Sequence, residues 1–362
     1  MMLVAAIDLG SSLTKSFYLN QGAPHPLLMA PEVAWVQPEL LAKMHNFNRD
    51  AEPNQVAWVQ IGEETTAVGQ FAQNFSGDAG LMERKERRAI HKILAMLGAM
   101  QFKLEFSSSI TANLAVTLPI TEFNDRRMLQ QALYEAAQTF VFRGEKLSIA
   151  FEKLQIFPEG FGLFLTRRGE LAAQKIDPRT RTIAVVMFGH RNLSILVFKN
   201  GVLQNQSRSD GPGFLNAVEV AASLKGLSAS TPYLMETIAQ NLSQLRVAGQ
   251  LTPLDMESIN ATARESYWKQ VKSYLENHLP GGDYEIIVAG GAIAPIRTEL
   301  VELLRQMELS ERVSFADSIQ QQISTVLEKD SGFPDQNRLP LRLADVYAVF
   351  AATWAMSRQV NA

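Results

Sequence analysis

The sequence predicts an α/β protein of two domains built on a common plan, an expectation that rests on three observations. The chain has 362 residues, 46% of them hydrophobic, which is long for one core and enough for two. Short apolar runs ending at glycine or proline alternate with stretches of helical spacing, the pattern of segregated strands and helices. Finally, a strand, glycine turn, strand pattern at residues 3–19 recurs in outline at residues 183–198, with Gly189 standing where Gly10 stands in the first copy. Two like halves facing each other make a cleft.

The elements follow in order. Residues 3–7 form a continuous apolar run that meets Asp8 and Gly10, and an extended pattern resumes over 15–19, so the chain opens on a β-hairpin. Residues 20–80 are punctuated by Pro24, Pro26, Pro31, Pro38 and Pro53, which predicts loops and short strands such as 56–61. Ile90, Ile93, Leu94 and Leu97 repeat at helical spacing within 82–100. The basic run Arg84, Lys85, Arg87, Arg88 ahead of them reads as a solvated helix face. Residues 113–118 form a buried-strand run stopped by Pro119, and 121–124 lead into a helix reaching about residue 143. Apolar runs at 149–157 and 162–166 read as strands flanking Pro158-Glu159-Gly160. A polar segment, 175–181, precedes a new strand at 182–188, and the domain change falls near there. Beyond it, strands are expected at 194–198, 285–289 and 313–315, with helices at 237–246 and 257–277.

Composition narrows the function. A formal net charge of -3 removes any bulk electrostatic drive toward nucleic acid or an anionic membrane. With no cysteine there is neither a disulfide framework nor a thiolate metal site, and the histidines at 25, 45, 91, 190 and 278 have no metal-ligand spacing. The apolar stretch at the N-terminus is too short for a signal segment or a spanning helix, so the expectation is a soluble, cytoplasmic chain with no membrane segment.

Three places could carry chemistry. A tight turn of glycine and small hydroxyl residues exposes successive backbone N–H groups that wrap phosphate oxygens, and Gly10, Ser11 and Ser12 suit that use. Asp8 at the strand end could hold water on a Mg²⁺, and Lys15 could return a positive charge to the phosphates. Gly290, Gly291 and Ala292, between a strand and a helix starting near Pro295, let a flat ring approach the backbone. Glu159 at a strand end could orient an attacking water. Each pattern is also that of an ordinary turn, and only their order along the chain raises them above it.

In order and spacing these pieces resemble the actin, Hsp70 and sugar-kinase superfamily, and within it the bacterial plasmid-segregation, ParM/StbA-like branch. The resemblance runs over nearly the whole chain. It implies an actin-like, ribonuclease H-like duplicated fold, with residues 1–166 and 338–362 as one domain, 167–337 as the other, and a nucleotide cleft between them. Asp8-Leu-Gly-Ser-Ser-Leu-Thr-Lys15 would be the first phosphate motif, and Pro158-Glu159-Gly160 the connecting segment with its water-orienting carboxylate. Residues 186–195, with the turn Gly189, His190, Arg191, Asn192, would be the second phosphate motif, residues 287–293 the adenosine motif, and 343–353 the second connecting helix. Val116-Thr-Leu-Pro-Ile-Thr-Glu-Phe-Asn124 also resembles this branch. The implied ligands are ATP or GTP with Mg²⁺ held through water by Asp8. The implied partners are further copies of the chain in a filament and, through an adaptor protein, DNA.

One departure stands out. The family's second phosphate hairpin begins with an aspartate that helps hold the metal's water shell, and Met187 occupies that position here. A later acidic position is Ser194, while the turn gains His190 and Arg191. Arg191, with His190, could neutralise phosphate directly and lower the need for Mg²⁺. The resemblance therefore leaves two expectations, an ATPase that polymerises with nucleotide and segregates DNA or organises the cell interior, and a non-hydrolysing scaffold that keeps nucleotide as a structural ligand. A small-molecule kinase would need a catalytic base beside an acceptor pocket, and no residue pattern supplies one.

Overall fold

The structure is a computed structural model in which residues 2–41, 50–80, 86–328 and 339–360 are described. They fall into two compact units. One comprises the described residues of Met1–Gly162, Gln322–Phe333 and Asp345–Ala362, the other those of Leu163–Gln321 and Pro334–Ala344.

The first unit is organised by a nine-stranded sheet in the order β3-β2-β1-β7-β9-β8-β5-β6-β4. These strands are β1 (Met2–Leu9), β2 (Thr14–Asn20), β3 (Ala23–Met29), β4 (Val33–Trp35), β5 (Trp58–Ile61), β6 (Glu64–Val68), β7 (Ser109–Leu118), β8 (Phe140–Phe142) and β9 (Glu145–Pro158). Central β1 runs parallel to β7, and β7 parallel to β9. Every residue of β1 after Met2 is buried, which is why its sequence is a continuous apolar run and not an alternating one. Helices α1 (Glu86–Lys103) and α2 (Arg126–Ala137) belong to this unit, and Ile93, Leu94 and Leu97 of α1 are fully buried in the core they share with β1 and β7.

Four sequence expectations give way here. Residues 23–29 form a full strand despite Pro24 and Pro26, because β3 is the sheet's edge and its outward side needs no donors. The helix after Pro119 ends at Ala137. Residues 140–158 then fold as a hairpin, turned at Arg143 (φ 52°) and Gly144 (φ 92°) between the paired Phe142 and Glu145. Residues 162–166 are not a strand but the start of α3 (Phe161–Ala173). A short apolar run fits a buried helix face as well as a strand, and here the turn at Gly160 (φ 94°) redirects the chain into the helix. Of the basic run, Arg84 and Lys85 lie outside the described residues. Arg88 is not solvated: it is buried, pairs with Asp78 at 3.0 Å and lies over the Trp35 ring at 5.3 Å.

The second unit has a smaller sheet in the order β12-β11-β10-β16-β17, with β13 also on β11. Its strands are β10 (Thr182–Phe188), β11 (Asn192–Lys199), β12 (Val202–Leu203), β13 (Arg208–Pro212), β16 (Glu285–Ala289) and β17 (Val313–Ser314); a separate small pair is β14 (Gln244–Leu245) with β15 (Leu254–Asp255). Around them lie α4 (Leu215–Lys225), α5 (Leu234–Ala239), α6 (Glu257–His278) and α7 (Arg297–Gln306). The helix expected at 237–246 stops at Ala239, since Asn241 takes a left-handed conformation (φ 54°) and Gln244–Leu245 extends. Buried Arg167 of α3 bonds Glu285 of β16 at 2.8 Å and Glu170 at 2.9 Å, fixing α3 to this sheet. The last helix, α8 (Leu339–Val360), gives residues 339–344 to the second unit and 345–360 to the first.

Candidate functional site

The two central strand pairs repeat one geometry. In the first unit β1 pairs antiparallel with β2 and parallel with β7; in the second β10 pairs antiparallel with β11 and parallel with β16. The registers superpose residue for residue. Leu9 faces Thr14 and Asp8 faces Lys15 in one hairpin, as Phe188 faces Leu193 and Met187 faces Ser194 in the other. Both turns require glycine for the same steric reason: a Cβ on Gly10 would lie 2.4 Å from the Leu13 carbonyl oxygen, and one on Gly189 would lie 2.7 Å from that of Asn192. Such turns sit at the carboxyl ends of parallel strands, where open α/β sheets bind ligands.

In the first unit, Gly10, Ser11 and Ser12 form the half-buried turn and Asp8 is 3% exposed. The Asp8 carboxylate meets the Lys15 ammonium at 2.5 Å, so in this state the cation of the hairpin is held by its own strand partner. Thr117 lies beside Asp8 on β7, fully buried, with a hydroxyl that hydrogen-bonds no described group. Glu159 directly follows β9 and its N–H donates to the Leu118 carbonyl at 2.7 Å. Asp8 and Glu159 thus share one end of the sheet with β7 between them. Gly160 N–H donates to the buried carboxylate of Asp345 on α8 at 2.8 Å, which anchors the loop carrying Glu159.

In the second unit, the Gly189 and His190 carbonyls accept from the N–H groups of Phe214 and Leu215 at the start of α4, at 3.2 and 2.8 Å. This close approach is why Gly213 has no side chain: its Cβ would fall 2.2 Å from the Arg191 carbonyl oxygen. Arg191 and Asn192 are half-buried, and Asn192 opens β11. Gly290 (φ 116°) crosses the Phe188 backbone, where a Cβ would sit 2.3 Å from the carbonyl oxygen. Gly290, Gly291 and the buried Ala292 are therefore brought against the base of the 189–192 turn. Across Gly291 runs the stem of Arg342, whose Cγ would lie 2.7 Å from a Cβ there. Burial, and then the charge of Arg342, lower His190 to about 4. In this state the imidazole is consequently neutral at neutral pH.

Each turn, taken within its own unit, has the glycine geometry of a phosphate-binding turn, but the second unit lacks ligands for a metal. A hydrated Mg²⁺ asks for carboxylate or carbonyl oxygens. At the position equivalent to Asp8 the second unit has a thioether, and the Ser194 hydroxyl is engaged with that of Ser209 at 2.6 Å. Among the described residues there is no cluster of three or more acidic or histidine side chains able to hold a metal. Sequence reasoning missed Thr117, Gly213, Arg342 and Asp345. For the last two a signal exists, one base and one acid in the otherwise apolar opening of α8.

Residues 6–162 match the family model described as the N-terminal domain of actin like proteins. No curated protein matches the chain. Among solved structures, a 15-stranded ParM filament from Clostridium botulinum is 16% identical with a TM-score of 0.65, covering 98% of this chain and 99% of that one. The actin-like protein Alp7A is 14% identical with a TM-score of 0.67, covering 100% and 99%. ParM from Bacillus thuringiensis, solved with AMPPNP, is 13% identical with a TM-score of 0.65, covering 98% and 99%. The fold is actin-like over the whole chain.

Proposed function

We propose that this actin-like chain binds a purine nucleoside triphosphate, ATP or GTP, and assembles with further copies of itself into filaments that move DNA through an adaptor or organise the cell interior. The observation that carries the reading is the repeated hairpin, one in each unit, with the same register, the same obligatory glycine and the same place at the carboxyl ends of parallel strands. On this reading Gly10, Ser11, Ser12 and Lys15 bind phosphate in the first unit, Gly189, Arg191 and Asn192 in the second, and Gly290, Gly291 and Ala292 receive the nucleoside. His190 lines the second turn as a neutral ring. Asp8 and Glu159 are the carboxylates available to order water. Likeness to filament-forming and nucleotide-bound ParM structures supports the reading at the level of the fold. No helix among the described residues is long and apolar enough to cross a membrane.

A second reading, a scaffold that keeps nucleotide as a structural ligand without turning it over, is favoured by Met187, since a site short of a metal-ordering carboxylate binds phosphate better than it activates water. Right-angle light scattering of the purified protein on adding ATP or GTP tests the assembly they share. Scattering should rise at micromolar protein and be lost in Lys15→Ala, which removes the cation of the first turn. A flat signal with both nucleotides overturns the filament reading.

A further inference from the structure

We propose that the Thr117 hydroxyl is a positioning donor for Asp8 in the nucleotide-bound state, taking over the carboxylate when Lys15 turns to phosphate. The inference rests on the nucleotide reading above and adds to it a residue and an exchange of partners within the first unit.

The sheet places these groups together. Ile7 and Leu9 of β1, and Val116 and Leu118 of β7, enter the core that contains Ile93 of α1 and Leu133 of α2. Side chains alternate across a strand, so Asp8 and Thr117, which pair in the parallel register, share the other face. Lys15 of β2 pairs with Asp8 and lies on that face too, so cation, carboxylate and hydroxyl form one row at the carboxyl ends of β1 and β7. Neighbouring strands lie about 4.8 Å apart, which a rotation of the Thr117 side chain spans to reach the Asp8 carboxylate.

Thr117 is fully buried, and its hydroxyl has no hydrogen-bond partner in this state. An unpaired buried hydroxyl is destabilising, and a valine of the same shape avoids that cost, so folding alone does not account for a threonine here. The reason lies in Asp8, whose carboxylate is 3% exposed and meets the Lys15 ammonium at 2.5 Å. The Lys15 stem passes over the turn, with Cε 3.4 Å from where a Gly10 Cβ would be, so a short swing brings its ammonium to an anion held by residues 10–12. An ammonium drawn to phosphate leaves behind a buried carboxylate that needs a donor. The Thr117 O–H, one strand away on the same face, supplies it through a charge-assisted bond that keeps Asp8 oriented at the turn. Without ligand the lysine holds the carboxylate and the hydroxyl is in reserve.

The test is Thr117→Val in the full-length protein, which keeps the shape and removes the hydroxyl. Its melting temperature without nucleotide should equal or exceed that of wild type, while its affinity for N-methylanthraniloyl-ATP or N-methylanthraniloyl-GTP with Mg²⁺ falls about tenfold. Thr117→Ser, which returns the hydroxyl, should recover most of the affinity. A packing role would not give opposite signs in the two measurements. A second comparison needs no nucleotide. In Lys15→Met the exchange is already forced, so Thr117→Val should lower the melting temperature in that background though not in wild type. Thr117→Val that binds as tightly as wild type, or that loses stability without nucleotide, overturns the proposal and leaves nucleotide binding standing. Wild type that binds neither nucleotide overturns the nucleotide reading, and equal effects of Thr117→Val in the two backgrounds overturn the pairing of Thr117 with Asp8.

Discussion

His190 shows how a single buried side chain links the second hairpin to stability. Its folded value, about 4, lies below the 6.5 of an exposed imidazole, chiefly through burial and then through the Arg342 charge. Between those values the unfolded chain binds a proton that the folded chain refuses, so the contribution is complete above pH 6.5 and is lost as pH falls toward 4, by at most about 3 kcal/mol. His91 is lowered by burial against the opposing pull of Glu64, and acts in the same direction. The melting temperature should therefore drop from pH 7 to pH 4.5 less steeply in His190→Asn than in wild type, without becoming flat. Parallel slopes for the two proteins would show that His190 is not held neutral. At this scale the sequence was informative about the turns and silent about their neighbours. Gly10 and Gly189 are legible because a local turn demands them, whereas Arg342 and Asp345 act across long separations in the chain, where no local pattern records the partner.

Elements were legible where local and tertiary preferences agree. Strands β10 and β16 match the expected 182–188 and 285–289 because buried parallel strands are written as unbroken apolar runs. Disagreement arose where position in the sheet overrode composition, as at β3, whose prolines signal a loop until its place at the edge is known. Residues 162–166 failed for another reason, since helix and strand share a signature in a short apolar run. Contacts between elements also decide the sign of a substitution. Gly98, in the middle of α1, faces the Phe142 ring of β8, and a Cβ there would meet ring carbons at 2.4 to 2.9 Å. Helix propensity alone favours Gly98→Ala by about 1 kcal/mol. Overpacking against a buried ring costs about 1–3 kcal/mol, and the ring has no free side to move into. The variant should be destabilised, with a lower urea midpoint at unchanged m-value, and a raised midpoint would mean that α1 can slide away from β8.

For the molecule as a whole, the duplicated hairpin is the most informative feature because its copies have diverged unequally. Both keep the glycine, the antiparallel register and the parallel neighbour. Only the first keeps a carboxylate and a lysine, already paired with each other at 2.5 Å. Binding and turnover draw on these parts differently. On the proposed nucleotide reading, phosphate binding would draw on the turns and cations of both units, whereas hydrolysis would need oxygen ligands that order a metal and a water, for which Asp8 and Glu159 of the first unit are the candidates. Nucleotide should therefore promote assembly well ahead of any phosphate release. In sedimentation run beside a phosphate-release assay, the pelleted fraction should be the same with ATP as with a slowly hydrolysed analogue, and phosphate should appear only after pelleting is complete. Met187→Asp, by returning an oxygen ligand to the second hairpin, should raise phosphate release in Mg²⁺ more than it changes pelleting. Pelleting that reverses at the rate of phosphate release in wild type would instead place hydrolysis in the working cycle, and show that the first hairpin with Glu159 suffices for it.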